Sequence, residues 1–177
     1  MRMILSYAAL FLMLCTAAPS LAGPITEQDV LNAEKEWGAA IVAIGKACQV
    51  GGDCRAAAGE AIDRLYAYGL AEVLFKPTKA ADRQFRPDRE GAISYFVGGV
   101  ASEDHGFALQ PWSKVRFGQQ KIVVHDCDAI AQGNYYFTDA GTGRESKVEF
   151  TFGYVRDNSG RLRIFLHHSS LPYGSGH

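Results

Sequence analysis

The chain has almost no electrostatic bias. Eighteen Lys and Arg residues stand against nineteen Asp and Glu, for a formal charge of −1, and the signs are interspersed. No basic stripe is available to track a phosphate backbone, so nucleic acid is not among the expected partners. The chain also lacks an apolar run long enough to span a bilayer as a helix, the one near its N-terminus being too short. Gly-x-Ser-x-Gly is missing, which argues against a serine hydrolase even though Ser169 and Ser170 follow His168. Glycine-rich phosphate loops are missing too, because Gly141-Thr142-Gly143 falls in a hairpin turn rather than ahead of a helix. There is no Cys-x-x-Cys pair, internal repeat, low-complexity tract or linker.

What the N-terminus does have is a tripartite export pattern. Arg2 supplies a positive start, Tyr7 to Cys15 an apolar centre, and Ser20-Leu21-Ala22 a small-x-small cleavage site before Gly23. Residues 1–22 are read as a signal peptide and residues 23–177 as one domain, large enough to bury a real core. Loss of Arg2 takes the formal charge from −1 to −2. The expected location is periplasmic or secreted, and the mature protein is expected to need no membrane. In such an oxidising compartment, Cys48 and Cys54 flank the turn Gln49-Val50-Gly51-Gly52-Asp53 and read as a disulfide worth roughly 2 kcal/mol. Two separate buried thiols are the alternative. Cys127 is left over and is expected to be buried as a small apolar residue.

Hydrophobic period divides the mature chain in two. Thr26-Glu27-Gln28-Asp29 forms a capping box, and Val30, Trp37, Ile41, Ile44 and Cys48 make one helical stripe ending near Gly51-Gly52. A second helix is predicted from about Cys54 to Tyr68, with Ala58, Ile62, Leu65 and Tyr66 facing inward. Phe75-Lys76-Pro77-Thr78 is punctuation. Asp88 caps a short third helix through Phe96, stopped by Gly98-Gly99. From Trp112 onward the period is two: strands are predicted at 115–117, 121–125, 129–138, 147–156 and 162–172, separated by Asp, Asn and Gly turns. Helices first and an antiparallel meander afterwards give an α+β domain, its helices on one face of a curved sheet.

The last strand carries the densest polar chemistry. Strict alternation puts Leu162, Ile164, Leu166, His168 and Ser170 on one face and Arg163, Phe165, His167 and Ser169 on the other. The first set is apolar for three positions and then polar, as along a cavity floor that surfaces at its mouth. His167 and His168 point apart and cannot share an ion, and His105, His125 and His177 lie elsewhere. No three-ligand zinc site follows from spacing, so no metal is expected, with zinc or manganese as the alternative.

Five blocks of the chain resemble the iota-class carbonic anhydrases. They are Phe75-Lys76-Pro77-Thr78-Lys79-Ala80, Ser94-Tyr95-Phe96-Val97-Gly98-Gly99, Gly106-Phe107-Ala108-Leu109 with Pro111-Trp112, Gly133-Asn134-Tyr135-Tyr136-Phe137, and Leu166-His167-His168-Ser169-Ser170-Leu171-Pro172-Tyr173. The resemblance spans nearly all of the mature chain. It implies the cone-shaped curved sheet of the calmodulin-dependent-kinase association domain, which ketosteroid isomerase shares, and a homodimer. It also implies a lyase activity, the reversible hydration of carbon dioxide to bicarbonate, without metal. Matched by motif, Thr78, Tyr95 and Ser170 supply hydroxyls that hold carbon dioxide, water or bicarbonate. Tyr95, His168 and Ser170 would be catalytic, with either Tyr95 or His168 as the base. Where some members show three successive histidines, this chain has Leu166-His167-His168. A non-catalytic ligand-binding or oligomerisation module on the same cone is the competing reading.

Overall fold

A computed structural model describes residues 23–174. Helix α1 (Glu27–Gln49) begins at the capping box, where Thr26 accepts from the Asp29 amide and the Asp29 carboxylate accepts from the Thr26 amide. These two bonds satisfy N-terminal donors that the helix itself leaves free. The buried stripe of α1 runs through Val30, Trp37, Ile41 and Ile44, with Glu34 set among them. Cys48 and Cys54 are bonded, with Cα atoms 5.0 Å apart, and the link joins the end of α1 to α2 (Cys54–Leu65). Tyr66 ends α2 rather than extending it, and its backbone turns extended. Helix α3 (Arg89–Val97) starts at Asp88, whose carboxylate accepts from the Gly91 amide, and stops where Gly98 takes φ 83°. That left-handed conformation is one that glycine adopts without the Cβ clash.

Five strands form one sheet in the order β1-β5-β4-β3-β2. They are β1 (Leu74–Lys76), β2 (Trp112–Val124), β3 (Asp128–Asp139), β4 (Glu145–Arg156) and β5 (Leu162–Ser170). The last four make the expected antiparallel meander. Two details differ from the sequence expectation. Residues 115–117 and 121–125 belong to one long strand, broken by an irregularity between Gly118 and Lys121. The Phe75-Lys76 segment is itself a short strand, paired parallel to β5 through Leu74–Leu166, Phe75–His167 and Lys76–His168. Three residues ending at Pro77 are too few for a period to register. Cys127 is exposed, not buried, because it sits at the tip of the Asp126–Asp128 turn, outside every apolar stripe. The export signal expected at residues 1–22 lies outside the described residues.

The helices cover one face of the sheet, and the core between them is unusually aromatic. Trp37 packs within 6.5 Å, centroid to centroid, of Phe96, Phe117, Tyr135, Phe137 and Phe152. Edge-to-face geometry of this kind adds to the stabilisation from burial. The same packing leaves a floor of rings on which the polar groups of β5 rest.

Candidate active site

A β-bulge decides which residues of β5 face inward. Tyr154 pairs with Ile164, but the next residue of β4, Gly153, pairs with Leu166, so Phe165 is an extra residue. A side chain at Gly153 would lie 2.9 Å from Leu166 Cβ and from the Phe165 ring, so the bulge requires glycine there. One inserted residue exchanges the two faces of a strand. Ile164 points into the core, and beyond the bulge so do His167 and Ser169, while His168 is exposed. The expectation that His168 and Ser170 face the cavity is therefore corrected. Both lie on the outer sheet face along an open groove with Lys121, Gln132 and Thr151, where Ser170 donates to Glu149 at 2.8 Å.

The inner hollow brings together residues from six elements. Thr78 follows β1, Tyr95 and Phe96 come from α3, and Trp37 comes from α1. Phe107, from the short helical turn Phe107–Leu109, Tyr135 from β3, His167 and Ser169 from β5, and Pro77 beside Thr78 complete the lining. The hollow holds about 180 Å³ of space between atoms but is nowhere wide enough for a water-sized sphere. Thr78 and Tyr95 thus lie where sequence matching placed them. Trp37, Tyr135, His167 and Ser169 were not expected there. The Gly133–Phe137 block contained Tyr135, but only the neighbouring strands show which of its two tyrosines turns inward.

Two hydrogen-bonded chains end in this hollow. In the first, Trp37 Nε1 donates to the Tyr66 hydroxyl at 3.0 Å, and that hydroxyl lies 2.8 Å from His167 Nδ1. With one lone pair occupied by Trp37, the Tyr66 proton finds its acceptor in Nδ1. The opposite assignment would leave a buried phenolic proton without an acceptor. His167 therefore carries its own proton on Nε2, which is buried and has no protein partner. Its ring stacks on Phe75 at 4.5 Å and meets the Phe152 edge at 4.4 Å. Burial in this cage, with a lesser contribution from His168, holds its pKa well below the ordinary histidine range. His167 is a neutral N–H donor.

In the second chain, Ser169 Oγ lies 2.5 Å from Thr78 Oγ1, makes a short contact with the Tyr135 hydroxyl, and faces the Glu149 carbonyl at 3.4 Å. The Tyr95 hydroxyl lies beside Thr78 and the Lys79 backbone but makes no well-formed hydrogen bond to either. Burial raises the pKa of Tyr95 and Tyr135, so both remain neutral phenols. The hollow thus presents only uncharged donors and acceptors. Among the described residues, no three His, Cys, Asp or Glu side chains converge as a metal site would require.

A curved, mostly antiparallel sheet covered on one face by helices, with a polar cluster between them, defines a cone-type α+β protein. An NTF2-like protein of cystatin-like fold from Novosphingobium aromaticivorans shares this fold at TM-score 0.55 and 10% identity, covering 84% of this chain and 83% of the other. The family is narrower. Residues 28–171 match the family model for metal-independent carbonic anhydrase. A protein of Nostoc sp. (strain PCC 7120 / SAG 25.82 / UTEX 2576), named metal-independent carbonic anhydrase, is 43% identical over 168 residues, covering 89% of this chain and 82% of its own. The crystal structure of a cyanobacterial iota-carbonic anhydrase complexed with bicarbonate superposes at TM-score 0.82 with 41% identity, covering 90% of this chain and 99% of that one. The chain belongs to the metal-independent, iota-class carbonic anhydrase family.

Proposed function

We propose that this protein catalyses the reversible hydration of carbon dioxide to bicarbonate and a proton, using side chains in place of a metal. The observation that carries the reading is the meeting of Thr78, Tyr95, Tyr135, His167 and Ser169 in one dry hollow, in a chain whose bicarbonate-bound relative shares its fold at 41% identity. Carbon dioxide is apolar and narrow, and an aromatic hollow suits it. His167 Nε2–H and the Tyr95 O–H are the groups free to donate to its oxygens. A preorganised donor that meets developing negative charge contributes about 3 kcal/mol to the transition state.

Attack by water needs an outlet for one proton, and no charged base lines the hollow. The Ser169–Thr78 pair supports a hydroxyl relay. As the new carbon–oxygen bond forms, the water gives a proton to Ser169 Oγ, the serine's own proton passes to Thr78 Oγ1, and Thr78 releases its own proton on its partly exposed side. Bicarbonate then carries the negative charge and the proton leaves the pocket. With no fixed cation inside, the anionic product is not trapped.

Stopped-flow measurement of carbon dioxide hydration on chelator-treated protein tests the reading. Turnover above the buffer rate, unchanged by added zinc or manganese, is expected. Folded protein with no such rate would reject the activity and favour the non-catalytic module. We further propose, from the export pattern of residues 1–22 and the resemblance, a homodimer located in the periplasm or secreted. The outer sheet face, left bare by the helices, supports self-association. A monomer mass by light scattering, or cytoplasmic retention on fractionation, would refute these two statements respectively.

A further inference from the structure

Tyr66 does not line the inner hollow, yet its hydroxyl meets His167, which does. It is the residue at which α2 stops: its amide still donates to the Ile62 carbonyl at 2.8 Å, while its backbone is already extended. That extended backbone runs beside β5. Tyr66 pairs with Ile164 in parallel, and the Ala67 amide donates to the Ile164 carbonyl at 2.9 Å. Ile164 is the last residue before the supernumerary Phe165, and His167 is the first inward-facing residue after it. The end of α2 thus holds β5 on both sides of the bulge, by backbone before it and by the Tyr66 hydroxyl after it. We infer that Tyr66 is a positioning residue for carbon dioxide hydration: its hydroxyl, oriented by Trp37, keeps His167 in the orientation and tautomer that offer Nε2–H to the reacting oxygen.

The direction of this chain is set at its far end. An indole nitrogen donates and cannot accept. Trp37 Nε1–H therefore occupies one lone pair of the Tyr66 oxygen at 3.0 Å, and the chain cannot run in reverse. The phenolic proton goes to Nδ1 at 2.8 Å. Trp37, Tyr66 and His167 are all buried, so water does not compete for these bonds. Stacked rings hold the planes: Tyr66 lies against Phe75 at 5.7 Å and Tyr68 at 5.9 Å, and His167 stacks on Phe75. Stacking fixes the plane of an imidazole but not which of its nitrogens carries the proton. A hydrogen bond to the other nitrogen fixes that.

The tautomer matters to the chemistry. With its proton on Nδ1, the ring would turn a lone pair toward oxygens that gain negative charge as water adds, and the repulsion would raise the barrier. With its proton on Nε2, the ring meets that charge as a neutral donor. His167 then neither gives up nor takes a proton during the step, which leaves the proton of the attacking water to the hydroxyl pair.

This inference rests on the proposed hydration activity. Two measurements on wild type, Tyr66→Phe and Tyr68→Phe test it: stopped-flow hydration and nitrogen NMR of histidine-labelled protein, with the His167 signals assigned by their absence from His167→Gln. Tyr68 belongs to the same ring stack but sends its hydroxyl to the Arg86 carbonyl at 2.7 Å, so Tyr68→Phe should leave both readouts unchanged. Wild type should show His167 protonated on Nε2 alone. Tyr66→Phe should lose that single tautomer and lower kcat about tenfold, on the scale of losing a histidine's orienting partner. Nδ1–H in wild type would overturn the inference without recourse to any variant. So would a Tyr66→Phe protein that keeps wild-type kcat, or one that loses activity with its His167 signals unchanged. An equal loss in Tyr68→Phe would overturn it too, by assigning the effect to packing of the stack. An inactive wild type would instead overturn the hydration reading itself, and the role of Tyr66 with it.

Discussion

Replacing Ser169 by Ala removes the oxygen that joins Thr78 to Tyr135, whereas Ser170 only bonds to Glu149 on the outer face. The two substitutions are chemically identical and one position apart. Ser169→Ala is expected to lower kcat roughly 100-fold, on the scale of one lost transition-state hydrogen bond. Ser170→Ala should leave turnover within about twofold of wild type, because its hydroxyl faces the outer groove and bonds to Glu149, away from the inner hollow. Steady-state hydration kinetics on both variants checks this, and equal losses would mean that the bulge does not set the catalytic face. The same contrast shows where sequence reading stopped. The block Leu166-His167-His168-Ser169-Ser170 drew attention to the right strand, but alternation counted from Leu162 selects the wrong partner of each pair. Nothing in those residues shows that Phe165 is supernumerary. The evidence lies across the sheet, at a glycine.

At the scale of elements, that glycine is the pivot. A methyl group at Gly153 would meet the Phe165 ring and Leu166 Cβ at 2.9 Å. Gly153→Ala is expected to cost about 1–3 kcal/mol by overpacking and to lower turnover as well, since relieving the clash moves His167 and Ser169. Urea unfolding together with hydration kinetics measures both effects, and a stable variant with full activity would refute the dependence. Elements with their own local signals were legible. Thr26 and Asp29 marked the start of α1, Asp88 that of α3, and turn residues separated the last four strands. Contacts formed only by the tertiary fold were not: β1 pairs with a strand about ninety residues away, and Tyr66 and Tyr135 gain their roles from His167 and Ser169.

Across the whole molecule, two buried titrating groups pull stability in opposite directions. Glu34, buried in the stripe of α1, has one carboxylate oxygen bonded to Gln120 and the other without a partner. Burial raises its pKa to about 7 from an ordinary 4.5. The native state therefore binds more protons than the unfolded state between those values, and stability falls as pH rises through that window. His167 has the reverse sign. Its lowered pKa means that the unfolded state takes up the extra proton below about 6.5, so stability falls as pH drops. Between about pH 4.5 and 6.5 the two slopes offset each other. Glu34→Gln is expected to remove one slope only. The variant should gain up to about 3 kcal/mol at pH 7.5 and should become steadily less stable as pH falls below 6.5. Urea titrations across pH 5–8 decide this, and an unchanged pH profile would contradict it.

The closed form of the inner hollow also bears on selectivity. The rings of Trp37, Tyr95, Phe96, Phe107 and Tyr135 and a gap narrower than a water-sized sphere would make it a sieve for the proposed reaction. A three-atom rod needs far less added room there than an aryl ester, whose ring would have to displace the aromatic side chains that already fill the space. An enzyme built this way should ignore activated esters such as nitrophenyl acetate altogether, and its small substrate should have to wait for the rings to part.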